Sequence, residues 1–147
     1  MTPATPFGRD AIESILPHRS PFLLLDEVVE LSPGERVAAT YRVPEDGWWF
    51  AGHFPERPVM PGVLIVEAMA QTGAVAVLAE EENRGRLALF AGIDDTRFKR
   101  IVEPGDELEL ECTLEQVRGP VGKGKARATV DGQLAARGTL TFAVEQP

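Results

Sequence analysis

Residues 63–79 form a run in which 13 of 17 are apolar, and on a helical wheel they cover every face instead of one stripe. Proline at a first helical position, Pro61, and a stop in Glu80-Glu81-Glu82-Asn83-Arg84-Gly85 bound a single long helix. A helix without a wet face has to be enclosed. A bilayer is a poor enclosure here, because the run is near the lower length limit for a span and holds Glu67 and Gln71 in its interior. The run is read as a core helix wrapped by sheet, and no membrane insertion is expected.

Glu67 and Gln71 are four residues apart and so stack on one face of that helix. A carboxylate one turn into a buried helix is costly unless it is paired, hydrogen-bonded or protonated. It either ties down neighbouring backbone amides or serves chemistry.

The chain of 147 residues has the length of one domain, expected over 1–147 with residues 1–8 frayed. Its start has neither the basic flank nor the apolar core of a signal peptide. A lone Cys112 rules out an internal disulfide and fits a cytoplasmic location. Two histidines and one cysteine, far apart in sequence, do not make a metal site. The net charge of −8 speaks against nucleic acid, which needs a cationic footprint.

Along the chain, residues 9–16 read as a short helix, 22–31 and 36–43 as two strands, and 44–60 as a stiff loop carrying Trp48-Trp49-Phe50 and His53. After the long helix come a strand at 86–98 interrupted near Gly92, a turn at Pro104-Gly105-Asp106, and strands at 107–115, 123–131 and 133–144. Leu108, Leu110, Cys112 and Leu114 alternate with Glu107, Glu109, Glu111, Thr113 and Glu115, and Asp131-Gly132 is a two-residue hairpin signal. About six mostly antiparallel strands with one dry face, and one helix with no wet face, satisfy each other as an α+β fold in which the sheet curls round the helix. Gly119-Pro120-Val121-Gly122-Lys123-Gly124-Lys125 imitates a phosphate-binding loop, but Ala126 stands where Ser or Thr would hold magnesium, and no helix follows. It is read as a hairpin turn.

His53 lies 14 residues before Glu67, and residues 54–61 reach about 26 Å when extended, so the chain allows the two side chains to meet. A histidine among Trp48, Trp49, Phe50 and Phe54 is favoured as the neutral base, and burial favours the protonated carboxyl. The helix start supplies a third element, since the free N–H groups of Gly62 and Val63 can hold a carbonyl oxygen as charge develops on it. Base, acid and oxyanion donors suit proton abstraction beside a carbonyl followed by loss of a β-hydroxyl. A core histidine bonded to backbone is the plain alternative for His53. His18, beside Pro17 and Arg19 with no apolar run to desolvate it, is read as structural.

Leu16-Pro17-His18-Arg19-Ser20-Pro21-Phe22-Leu23-Leu24-Leu25-Asp26, the block from Gly52-His53-Phe54-Pro55 through Met60-Pro61-Gly62 to Glu67-Ala68-Met69-Ala70-Gln71, Phe90-Ala91-Gly92-Ile93-Asp94 and Pro104-Gly105-Asp106 together resemble the FabZ family of (3R)-hydroxyacyl-acyl-carrier-protein dehydratases. The resemblance covers most of the chain. It implies a hot-dog fold, dehydration to the trans-2-enoyl thioester in type II fatty acid synthesis, and no cofactor. It implies His53 as the catalytic histidine, Glu67 as its carboxylate partner, and the Gly62 or Val63 amide on the thioester carbonyl. It also implies a homodimer, often a trimer of dimers, whose site joins His53 of one chain to Glu67 of the other. Phe50, Phe54, Met60, Gln71 and Phe90 are the expected lining of the substrate tunnel. The related FabA dehydratase-isomerases have aspartate where this chain has Glu67, which favours simple dehydration.

Ser20, Glu56 and Trp48-Trp49 depart from the family pattern at positions that bear on acyl length and pathway. The substrate's carrier is an acidic protein with a phosphopantetheine arm, so a local basic patch must outweigh the chain's negative charge. Arg97, Lys99 and Arg100 are the candidates, with Arg84 and Arg86 second. The rival readings are a hot-dog thioesterase, a dehydratase of a specialised acyl or polyketide pathway, and a carrier-binding scaffold without turnover.

Overall fold

Strict alternation of apolar and charged residues from Glu107 onward produces strands with one dry face, and the apolar helix is what covers it. A computed structural model of the protein describes residues 2–146, with 116–118 described by backbone only. In chain order the elements are β1 (Phe7–Gly8), α1 (Arg9–Ile15), β2 (Glu27–Ser32), β3 (Arg36–Arg42), α2 (Gly62–Leu78), β4 (Ala88–Phe98), β5 (Glu107–Arg118), β6 (Val121–Val130) and β7 (Gln133–Val144). The strands form one sheet in the order β1-β2-β3-β5-β6-β7-β4, antiparallel at every step.

Leu108, Leu110 and Cys112 of β5, Ala126 and Ala128 of β6, and Leu140 and Phe142 of β7 are buried against α2. Fourteen of the helix's 17 residues are buried, and the other three are Gly62, Val63 and Glu67. Helix and sheet approach closely at Gly73, where an added Cβ would lie 2.7 Å from Phe142 Cζ and 3.0 Å from Cys112 Sγ. Burial pushes the Cys112 thiol up to about 12, which fits the core position that the alternation implies.

The sheet has seven strands rather than six, because Phe7 and Gly8 pair with Val28 and Glu27. That pairing, with Phe7 buried, ties down the end of the segment expected to fray. The strand expected over 22–31 begins only at Glu27. Leu23, Leu24 and Leu25 are all buried in succession, which a strand with one wet face cannot achieve. Leu23 N–H bonds back to Arg19 O at 3.1 Å, Leu24 N–H donates to Gln71 Oε1 of α2 at 2.8 Å, and Phe22 C=O accepts from Gln71 Nε2 at 2.8 Å. Pro61 caps α2 from just outside the helix, which starts at Gly62.

The interruption expected near Gly92 is a register shift in β4 between Phe90 and Gly92, and a second falls between Asp94 and Arg97. The Asp131–Gly132 hairpin has both residues at positive φ, 50° and 77°, as a tight two-residue connection requires. Gly119 and Pro120 turn the chain between β5 and β6, so the phosphate-loop imitation is a hairpin. β4 lies at the edge of the sheet, and its outer side pairs with no strand among the described residues. Leu89, Phe90, Ile93 and Phe98 on it are exposed. No helix among the described residues is long and apolar enough to cross a membrane.

Candidate active site

The loop that carries His53 is held by its own turns, Phe50 N–H to Gly47 O at 3.0 Å and Arg57 N–H to Phe54 O at 2.8 Å, and by Met60 N–H to Val102 O at 2.8 Å. Trp49 and Phe50 anchor it in the core, and Phe54, at a φ of 57°, sets its ring 4.1 Å from the imidazole. The Val59 carbonyl oxygen lies 3.0 Å from His53 Nδ1. A carbonyl can only accept, so Nδ1 carries the N–H, and neutral His53 presents its lone pair on Nε2.

His53 lines a cleft of about 480 Å³ with Met60, Gly62, Ile65, Phe98 and Lys99. The N–H groups of Gly62 and Val63 donate to no acceptor among the described residues, leaving the positive end of the α2 dipole free there. A Cβ on Gly62 would come within 2.9 Å of the Phe98 ring. Glycine is therefore what keeps this end of the helix open.

Glu67 lies elsewhere. It lines a second cavity of about 270 Å³ with His18, Phe22, Gln71, Leu89 and Phe90. Ile65 borders the first cleft and Glu67 the second, and residues two apart on a helix point about 200° from each other. Within one chain α2 therefore stands between His53 and Glu67, and the two side chains do not meet. Gln71 Nε2 donates to Glu67 Oε2 at 2.8 Å, the i, i+4 contact that the spacing predicts. Glu67 Oε1 accepts no hydrogen bond among the described residues.

His18, read from the sequence as structural, lies beside Glu67. Its Nε2 lies 3.6 Å from Glu67 Oε2. Burial pushes its pKa below 6.5, outweighing the upward pull of Glu67, while Arg19 adds to the downward shift. Glu67, Ala70, Gln71 and Ala74 of α2 line the same cavity as His18, together with Phe22 and Phe90. The one local signal was the apolar Leu23-Leu24-Leu25 run that follows, which is buried.

The expected tunnel residues divide between the sites. Met60 borders the His53 cleft, Gln71 and Phe90 border the Glu67 cavity, Phe54 packs at a tilt against His53, and Phe50 packs on Trp49 and borders neither. Gln71 is 1% exposed and acts mainly as a clamp on Phe22, Leu24 and Glu67. Lys99 and Arg100 border the His53 cleft, with Arg100 also bonded to Val130 O and Gln133 Oε1. Arg97 does not join them and opens into a different groove with Lys125, Arg127 and Arg137.

An enclosed helix inside a curled antiparallel sheet, with a histidine at the helix N-terminus and a carboxylate one turn on, defines a protein of the hot-dog dehydratase class. The chain matches the FabA-like domain model over residues 16–139. It is 58% identical over 141 residues to the 3-hydroxyacyl-[acyl-carrier-protein] dehydratases FabZ of Staphylococcus aureus strains JH9 and Newman, covering 96% of this chain and 97% of each relative. The fold is shared with a chain of the dehydratase heterocomplex ApeI:P from Xenorhabdus doucetiae, at a TM-score of 0.77 and 22% identity over 92% of this chain and 91% of that one. The chain belongs to the FabA-like family and, within it, to the FabZ dehydratases.

Proposed function

We propose that the chain dehydrates (3R)-3-hydroxyacyl groups on acyl carrier protein to trans-2-enoyl groups in fatty acid synthesis, at a site built from two copies of the chain in the cytoplasm. His53 Nε2 of one copy takes the proton from C2. The electron pair left behind forms the C2–C3 double bond as the C3–O bond breaks. Glu67 of the second copy gives its proton to the departing hydroxyl, which leaves as water. The Gly62 N–H, with Val63 beside it, holds the thioester oxygen as it gains charge. Proton exchange with solvent then resets the imidazole and the carboxyl.

The observation that carries this reading is the separation of His53 and Glu67 onto opposite sides of α2, each beside its own cavity. One chain therefore holds both halves of the chemistry facing apart, and a two-fold pairing would bring unlike halves together twice. The open edge of β4 with its exposed Leu89, Phe90 and Ile93 is the surface that suits that pairing. At the His53 cleft, Lys99 with Arg100 suits the phosphate of the pantetheine arm.

The test is complementation. His53→Ala and Glu67→Gln are each expected to lose about two to four orders of magnitude in enoyl formation from a 3-hydroxyacyl thioester. Mixing the two after unfolding and refolding together restores one good site per hybrid dimer, roughly a quarter of wild-type activity for random pairing. Mixed chains no better than either parent would overturn the shared site. Full activity in His53→Ala, or release of free thiol without enoyl product, would overturn the chemistry.

A further inference from the structure

His18 Nδ1 is buried and has no hydrogen-bond partner, while Nε2 points at Glu67. An orphaned buried N–H is costlier than an orphaned lone pair. The imidazole therefore carries its hydrogen on Nε2, toward the carboxylate. Becoming cationic would put a second N–H on the buried Nδ1 with nothing to accept it, and the downward shift of the His18 pKa agrees. The charged groups that face His18 are Glu67, across the cavity on α2, and Arg19 beside it. The distance of 3.6 Å to Oε2 is beyond hydrogen-bond length, whereas Gln71 already holds the same oxygen at 2.8 Å. His18 is thus a neutral donor poised just outside contact with a carboxyl whose other oxygen is free.

We propose that His18 is a positioning residue for the dehydration: its Nε2–H closes on Glu67 Oε2 as the carboxyl passes its proton from Oε1 to the departing hydroxyl. The inference rests on the reading of Glu67 as the acid. In the proposed step Glu67 gives up its proton as C3–O cleaves, so the contact is strongest in the transition state and acts on kcat rather than on KM. Apo structures commonly show such contacts slightly long. Gln71 fixes the carboxyl before substrate arrives, and His18 completes its pair of donors during the reaction.

The test compares His18→Gln, whose amide nitrogen reaches the position of Nε2, with His18→Leu and His18→Asn, which leave no donor there, all assayed on a 3-hydroxybutyryl thioester beside Glu67→Gln. His18→Leu and His18→Asn are expected to lower kcat by roughly 10- to 100-fold, the worth of one hydrogen bond to a charged group, with KM nearly unchanged. Without that donor the carboxylate is less stabilised, so the high-pH limb of the rate profile moves upward. His18→Gln recovers most of kcat and returns the limb. If His18→Leu does not fold, the contrast between the Asn and Gln variants gives the same answer. Wild-type kcat in the Leu or Asn variant while Glu67→Gln is impaired overturns the role of His18 alone. Equal impairment of the Gln and Asn variants with an unmoved limb also overturns it, since that is a packing defect. A fully active Glu67→Gln removes the acid itself and both readings with it.

Discussion

His18 and His53 both present Nε2 to the cavities they line, but as opposite tautomers. The Val59 carbonyl holds the Nδ1–H of His53 at 3.0 Å, whereas His18 buries its Nδ1 against no acceptor and aims Nε2 at Glu67. One imidazole is thereby set to receive a proton and the other to donate a hydrogen bond. The two histidines of the chain are not interchangeable.

Stability should fall on mild acidification because of His18. Burial pushes its pKa in the folded chain below 6.5, its ordinary value. In the window from 6.5 down to the depressed folded value, the unfolded chain holds more protons than the folded one. Folding therefore strengthens as pH rises through this window and weakens as it falls. Thermal melts of wild type and His18→Gln between about pH 7.5 and about pH 5.5 measure this, with the wild-type Tm falling more steeply. Parallel curves would show that His18 is not buried as described.

His53→Asn separates the two ring nitrogens. The asparagine amide can replace Nδ1–H at the Val59 carbonyl but supplies no basic nitrogen in place of Nε2. Activity is expected to drop roughly 10²- to 10⁴-fold, with the Tm held near that of wild type. His53→Ala loses that hydrogen bond as well, worth about 1 kcal/mol. A chemical melt of both variants alongside the activity assay checks the division.

Gln71→Leu should cost more stability than its size suggests. The side chain satisfies Leu24 N–H, Phe22 C=O and Glu67 Oε2 at once, each at 2.8 Å. Leucine fills the volume but leaves two backbone groups unpaired, at about 1 to 3 kcal/mol each. The urea midpoint should shift to match, and an unshifted midpoint would mean that water takes over both bonds.

Gly73→Ala sets two effects against each other. Alanine is the better helix former by about 1 kcal/mol, but its Cβ would lie 2.7 Å from Phe142 Cζ. Phe142 is 2% exposed and stacks on Phe90 at 6.2 Å between ring centroids, so it has little room to yield, and overpacking a core costs about 1 to 3 kcal/mol. The net expectation is a loss of about 1 kcal/mol in a denaturant titration. A stabilised variant would show that helix and sheet can part cheaply at this point.

Much of this was written locally in the chain. The all-round apolarity of 63–79 announced an enclosed helix, the four-residue spacing of Glu67 and Gln71 announced their hydrogen bond, and the alternation at 107–115 announced which face of β5 is dry. What escaped depended on distant partners. Phe22 to Leu25 resembles a strand until Gln71, about fifty residues on, claims its backbone. His18 was read as structural because two groups that share its cavity, Glu67 and Phe90, come from distant parts of the chain. β1, with two residues, is too short to carry any period.

The unpartnered edge of β4 also bears on solubility. A ribbon of unused main-chain donors and acceptors, fringed by Leu89, Phe90 and Ile93, is the kind of template on which misassembled fibrils grow. Its two register shifts twist the ribbon and discourage indiscriminate stacking. Covering this border is thus a matter of staying in solution, and substitutions that widen its apolar fringe should be noticed first as poor yield.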